Sequence, residues 1–348
     1  MEGVRELINK IKDYVDVPSV VGFENLFFRH LEEDFKNLGV DVKREDNYLI
    51  VNPESKSGDV LVAHVDRHGL VVNDEGVVEY AGFYLDKKFG RKIKLPKTRY
   101  VDVGLRFLWE EVVAYDDKGI IIGEGGVKGF SYDFKSKSVL FNVENISGLS
   151  PGTPLAYKKS FVEDGCFIKT QLDNVVSVAL AYQMVKEGFE GTVLLTAEEE
   201  IGRSWLYLDE AIKDYHVFKR LWVLDTTPYD LEYYIKKGKI SLRKGDSCSK
   251  FDKKMIEEVV KVCESLNISY VFKDDQIRNL DPVIKRVGRF KTIGKTELGA
   301  LLLNRPELRG CTVQIPTIYY HTNYETTSKL ALSNYYKVMK SVLLKKII

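Results

Sequence analysis

Cysteine is scarce in this chain of 348 residues. Its four thiols, Cys166, Cys248, Cys263 and Cys311, are scattered, and none belongs to a CxxC pair. They read as ordinary thiols of a reducing compartment. An excess of one charge is also missing: 52 Lys and Arg face 51 Asp and Glu, a formal balance of +1. That balance excludes the general basic field of a non-specific nucleic-acid binder. No apolar run reaches the roughly 18 residues that span a bilayer, and the opening MEGVRELINK lacks the apolar stretch of a signal peptide. The expectations are no nucleic-acid partner, no membrane partner and a cytoplasmic location. Gln occurs only four times beside abundant Lys and Glu, a skew seen in proteins from hot environments. What is present is a globular profile, 44% apolar and 30% charged. The length exceeds the size at which single cores stop growing, so one large domain and a smaller one are expected.

Helical and strand periods alternate at both ends of the chain. Val4, Leu7, Ile8, Ile11 and Val15 predict a helix over 4–15, and Phe27, Leu31, Phe35 and Leu38 predict another that Gly39 stops. Short strands follow at Asp41–Arg44, Tyr48–Val51 and Val60–Val65. The second half predicts helices at Asp173–Lys186, Leu206–Tyr215, Lys254–Leu266, Thr296–Leu303 and Ser328–Leu344. Between them fall strands at Thr192–Ala197, Leu221–Leu224, Tyr270–Lys273 and Thr312–Ile315. Such alternation predicts an α/β sheet covered on both faces. Residues 70–158 differ. Val71–Asn73, Val77–Tyr80, Val112–Tyr115, Ile120–Ile122 and Val139–Asn142 are β-like, Gly, Pro and Asp punctuate them, and helical periodicity is scarce. An all-β, barrel-like insertion is expected there.

Three motifs carry less than they promise. Gly288 to Thr296 resembles a phosphate-binding loop, but five residues separate its glycines where that loop needs four. Gly123–Gly129 misses the GxGxxG spacing and reads as a turn. His64 and His68 stand four apart like the ligands of an HExxH helix. However, an apolar strand precedes them, Gly69 follows, and position 65 is not Glu.

The chemistry gathers at strand ends. His64-Val-Asp66 closes the strand at Val60, and residues at i and i+2 leave one face, so Asp66 can orient a metal-binding His64. Glu198-Glu199-Glu200 follows Val193–Thr196. Bringing Glu199 and Glu200 into one cleft requires an irregular turn, for which Gly202 is suited. Asp225 ends an apolar strand, His321 follows another, and Asp173 heads a helix, where a plain N-cap is the simpler role. Open α/β sheets place ligands beyond the carboxyl ends of their strands. Five such positions in one chain are hard to attribute to chance.

The ordered set HxD, D, EE, D and H resembles the M42 family of metallo-aminopeptidases, over nearly the whole chain. The resemblance implies a peptidase-type three-layer α/β/α domain with a mixed sheet, formed by residues 1–69 and 159–348. A small all-β dimerisation domain, residues 70–158, would interrupt it. It further implies two divalent metal ions per subunit, zinc, cobalt or manganese. His64 and Asp225 would be terminal ligands of one ion, Glu200 and His321 of the other, with Asp173 bridging both. Glu199 would be the general base, Asp66 would orient His64, and the Asp173–Asn174 peptide would be cis. The chain departs from the family pattern at Arg67-His68-Gly69, where an acidic–aliphatic pair is common. It departs again at Ile318, where many members have Arg, and at Gly294-Lys295-Thr296-Glu297, where Gly-Thr-Asp is commoner.

Such residues suit hydrolysis. Two divalent ions about 3.5–4 Å apart share a water and lower its pKa toward roughly 7, and a nearby carboxylate takes and returns the proton. An ion that also binds a free amino terminus makes the enzyme an aminopeptidase of short peptides. The alternative is a metal-dependent carboxypeptidase or amide deacylase of the related M20 type, which needs a cation for a substrate carboxylate. Arg67 and His68 are the local candidates for that cation. A metal-free glycosidase with paired carboxylates and a non-enzymatic assembly protein on the same scaffold complete the field. The resemblance also implies a homo-oligomer, a dimer through the insertion or a tetrahedral dodecamer.

Overall fold

The computed structural model describes residues 2–91, 97–133, 135–214, 220–279 and 293–344. The predicted helix end at Tyr215 and the Gly288 half of the phosphate-loop-like segment lie outside the described residues.

Eight strands form the central sheet. In spatial order they are Val42–Arg44, Tyr48–Val51, Thr192–Thr196, Asp59–His64, Arg220–Pro228, Arg309–Thr317, Ile240–Leu242 and Tyr270–Phe272. The middle four run parallel to one another. Tyr48–Val51 and Ile240–Leu242 join them antiparallel, so the sheet is mixed. Parallel strands covered on both faces need continuous apolar runs; accordingly Val60, Leu61, Val62, Val193, Leu194 and Leu195 are all fully buried.

The helices take their places through their apolar faces. Glu2–Val15 buries Leu7, Ile8, Ile11, Tyr14 and Val15, the i, i+3, i+4 face of an amphipathic helix. Asn25–Asn37 buries Phe27, Phe28, Leu31 and Phe35, and Gly39 follows it at φ +75°. Val175–Lys186 is buried on nearly all sides, because Glu2–Val15 packs over it while it lies on the strands Asp59–His64 and Arg220–Pro228. Truncating a fully buried Leu such as Leu31 in this core costs about 2–5 kcal/mol.

Six strands of the insertion close a barrel in the order Leu70–Val72, Val78–Tyr80, Ser138–Glu144, Ile121–Asp133, Glu111–Tyr115 and Pro154–Tyr157. Two expectations fail there. The insertion is not all-β: it carries helices Ala81–Lys88 and Lys97–Phe107. The second has its own apolar stripe, in which Tyr100, Val103 and Phe107 enter the barrel core. Gly104 lets it close on Phe130, and the polar residues between hid the period. Nor is Gly123–Gly129 a turn, for it forms the middle of the longest strand. A side chain at Gly125 would collide with the Glu144 carbonyl and Ile146, and the strand is bulged between Val127 and Gly129. Glycine here marks close backbone approach rather than a break.

A small apolar cluster joins insertion and sheet domain: Val20, Val21, Val71, Ala81, Leu85, Val113, Tyr115, Ala156 and Ile201. Among the described residues, no helix is long and apolar enough to cross a membrane.

Candidate metal centre

Register sets the first group of donors. Thr196 pairs with His64, and Val62 pairs with Val223, so His64 and Asp225 stand level at the carboxyl end of the parallel strands. His64 Nε2 lies 3.3 Å from Asp173 Oδ1 and 3.7 Å from Asp225 Oδ1. Asp225 is held in turn by Gln314 Nε2, which donates to Oδ2 at 3.0 Å, and by the Thr226 N–H on Oδ1 at 2.7 Å. Asp173 is not an N-cap; Asn174 takes the position before helix Val175–Lys186, and the Asp173–Asn174 peptide is cis.

The second group is built on turns. His321 Nε2 lies 3.2 Å from Asp173 Oδ2 and 3.6 Å from Glu200 Oε2. The irregular turn that Glu199 and Glu200 require is a single 3-10 turn, Glu199–Ile201, between left-handed Glu198 and Gly202. Asp66 fastens it: Oδ1 accepts the Glu199 N–H at 2.9 Å and Oδ2 the Glu200 N–H at 3.0 Å. The same carboxylate stands 3.5 Å from His64 Nδ1. Glu199 lines a cavity of about 310 Å³ together with Glu200, Asp225, Tyr320 and His321. All seven residues singled out by the sequence therefore converge on one place.

Four contributors stand outside the predicted set of seven. Glu325 is fully buried and accepts the N–H groups of Leu172 and Asp173 at 2.7 Å each, and that of His321. An acid four residues past His321 was the only signal for it. Glu297, beside Thr196 and Asp225, is another buried acid. His68, rejected as half of an HExxH helix, places Nε2 3.0 Å from Glu200 Oε2. Arg106, from the unforeseen helix of the insertion, comes within 3.3 Å of the same nitrogen. Conversely, Arg67 offers no cation to a substrate. It is buried, with its guanidinium on the carbonyls of Val15 and Val17 and on Gln171 Oε1.

Crowded acids decide the electrostatics. Loss of water raises the Glu199 and Glu200 carboxyls well above their ordinary range, and neighbouring acids push them further. Burial likewise carries Glu297 up to about 7. Burial opposes charge on His64, yet the carboxylates of Asp173, Asp225 and Asp66 around its ring outweigh it and raise its pKa. His321 goes the other way, pulled down to about 3 by burial and by Arg106. A group of acids this dense calls for cations.

Divalent ions fit the donors. Asp173 Oδ1, Glu200 Oε1 and both ring nitrogens of His321 are buried without a hydrogen-bond partner, an unfavourable state unless something else satisfies them. Within this site two trios have donor atoms mutually within 4.8 Å: His64, Asp173 and Asp225, and His68, Glu200 and His321. Mixed imidazole and carboxylate donors suit zinc, cobalt or manganese.

Solved structures share this fold. An aminopeptidase from the archaeon Desulfurococcus kamchatkensis shares the fold, with a TM-score of 0.71 and 17% identity over 99% of this chain and 96% of that one. TET1 peptidase of Pyrococcus horikoshii, which can assemble into a tetrahedron or a large octahedral shell, gives 0.68 and 18% over 97% and 99%. A TET aminopeptidase from a marine-sediment thaumarchaeote gives 0.72 and 15% over 97% and 96%. No curated protein matches the sequence significantly. The sequence profile of the M42 glutamyl aminopeptidases, however, matches residues 142–338, more than half of the chain. The protein is a peptidase, and it belongs to the M42 family.

Proposed function

We propose that this chain is a dinuclear-metal aminopeptidase that removes N-terminal residues from short peptides. One observation carries the reading. The Asp173 carboxylate turns one oxygen to His64, at 3.3 Å, and the other to His321, at 3.2 Å, so it would offer a donor to an ion in each group. In this reading His64 and Asp225 hold one ion and Glu200 and His321 the other. When bound, the pair supplies a nucleophile ionised at neutral pH and a Lewis acid for the scissile carbonyl.

The chain's own groups do the rest. Glu199, whose carboxyl burial has already made more basic, takes the proton of the attacking water and returns it to the leaving amine. Asp66 keeps Glu199 and Glu200 on one rigid turn while it faces His64 Nδ1. Gln314 aims Asp225 from outside the donor set.

Glu199→Gln tests this directly. Turnover of aminoacyl amides should fall about 10²–10⁴-fold while metal analysis still finds two ions per chain. Loss of metal in that variant would make Glu199 a ligand instead of the base.

A second reading has its own support. Arg99 and Arg106 line the hollow beside His68, Tyr80 and Glu200, and among the described residues neither pairs with a carboxylate within 4 Å. Such guanidiniums suit a substrate carboxylate, as in the M20-type carboxypeptidase or amide deacylase. Activity confined to N-acyl amino acids or C-terminal residues would select it; release of free N-terminal residues selects the aminopeptidase.

Residues 70–158 are proposed as the dimerisation domain within a catalytic domain of 1–69 and 159–348. The tetrahedron of the P. horikoshii protein and the dodecamer of another TET1 structure make a tetrahedral dodecamer, or the dimer it would be built from, the state to look for. Light scattering that gives a stable monomer would overturn this. The four free thiols accord with a cytoplasmic enzyme.

A further inference from the structure

We propose that His68 is a protein ligand of the second ion, completing a set of four with Asp173, Glu200 and His321. The proposal rests on the two-ion reading above but concerns a residue outside the ligand set that the family resemblance supplies.

Distance is the first argument. Donors about 2.0–2.2 Å from a tetrahedral ion stand roughly 3.3–3.6 Å from one another. Around the second group the separations are 3.0 Å for His68 Nε2 to Glu200 Oε2, 3.2 Å for His321 Nε2 to Asp173 Oδ2, and 3.6 Å for His321 Nε2 to Glu200 Oε2. The rings of His68 and His321 are 4.0 Å apart at their centroids, edge to face.

The far side of the ring is the second argument. Ligating histidines give their other N–H to an outer acceptor, which fixes the tautomer. Here the Tyr80 hydroxyl lies 2.5 Å from His68 Nδ1. With Nδ1–H donating to Tyr80 Oη, the lone pair of Nε2 faces Glu200 and His321. Both His68 and Tyr80 are buried, so neither ring is free to swing away.

Two simpler arrangements compete. His68 Nε2–H could donate to Glu200 Oε2, or the lone pair could accept from Arg106 Nη1 at 3.3 Å. Neither reaches His321 Nε2, which stays buried without a hydrogen-bond partner. An ion at the centre of the group engages His68, Glu200 and His321 together.

The consequence is an unequal pair of ions. Four protein donors fill a tetrahedral shell, whereas catalytic ions keep a position open. The open position then belongs to the ion at His64 and Asp225, and the ion at His68 is the more firmly held.

Cobalt titration of metal-free protein decides the matter, with visible absorption and metal analysis as readouts. Wild type should take up two Co²⁺. His68→Ala should weaken one of the two by about tenfold or more and lower the absorption of that ion as its tetrahedral shell is lost, leaving the other ion unchanged. Tyr80→Phe keeps His68 and should weaken the same ion by a smaller factor. If His68→Ala does not fold, judged by circular dichroism, His68→Gln takes its place with the same expectation. Unchanged affinity and spectrum in the folded His68 variant would overturn the proposal and leave His68 as a polar neighbour of Glu200 and Arg106. Wild type binding fewer than two ions would instead overturn the two-ion reading itself.

Discussion

His64 and Asp225 lie on neighbouring parallel strands, whereas Glu200 and His321 sit on turns whose backbone passes through left-handed conformations at Glu198, Gly202, Tyr319 and His321. The two halves of the centre are consequently held by different forces. Sheet register fixes the first half whatever its charge. Two buried acids fix the second, Asp66 through the amides of Glu199 and Glu200 and Glu325 through that of His321. Their electrostatics differ in the same sense. His64 is surrounded by acids that favour its charged form, while His321 is kept neutral by burial and by Arg106. A metal site can thus be assembled from one element that is rigid by topology and another that is rigid only while its carboxylates stay in place.

The severest way to break this contrast is Asp173→Ala, because Asp173 belongs to both halves. Both ions should be lost in metal analysis and turnover should fall by about 10³-fold or more. Next comes Glu325→Ala, which removes the acceptor of three buried N–H groups. Calorimetry of the metal-free protein should show a loss of about 2–4 kcal/mol, and the ion at His321 should weaken more than the ion at His64. Equal weakening would mean the halves are not held independently.

A pH measurement sharpens the contrast from the other side. Glu297 titrates near 7 in the folded protein against an ordinary 4.5. The folded state therefore binds the extra proton between these values, and stability falls as pH rises from 4.5 to 7. In metal-free protein Glu297→Gln should remove up to about 3 kcal/mol of that slope; a slope unchanged by the substitution would show that Glu297 is not its source. The smallest effect is expected of Gln314→Ala, which deletes one hydrogen bond to Asp225. It should weaken only the ion at His64, by roughly tenfold.

Legibility in the sequence divided elsewhere, between the donors and the groups that hold them. Apolar runs such as Val60–Ala63, Val193–Leu195 and Leu221–Leu224 declare buried parallel strands, and a His or acid just past such a run stands out. Together with the family resemblance, such positions gave the seven residues that the fold brings together. The roles of the groups around them could not be read. Glu325 acts through backbone amides brought from residues 172 and 173, a contact of long sequence separation. His68 reaches Glu200 only because the chain bends after Asp66, and Arg106 arrives on a helix of the insertion. That helix was concealed because the apolar Val101 and Leu105 lie exposed off its buried stripe, and the strand after it because Gly123, Gly125, Gly126 and Gly129 look like punctuation.

Asp66 makes the proposed base and the proposed ligand inseparable. Because one carboxylate grips two consecutive amides and also faces His64, the Glu198–Gly202 turn behaves as a cartridge keyed to the strand beside it. Grafting that turn into another peptidase without its aspartate would deliver the right residues in the wrong pose. The smallest transferable piece of this centre spans two separate stretches of chain, His64–Asp66 and Glu198–Gly202.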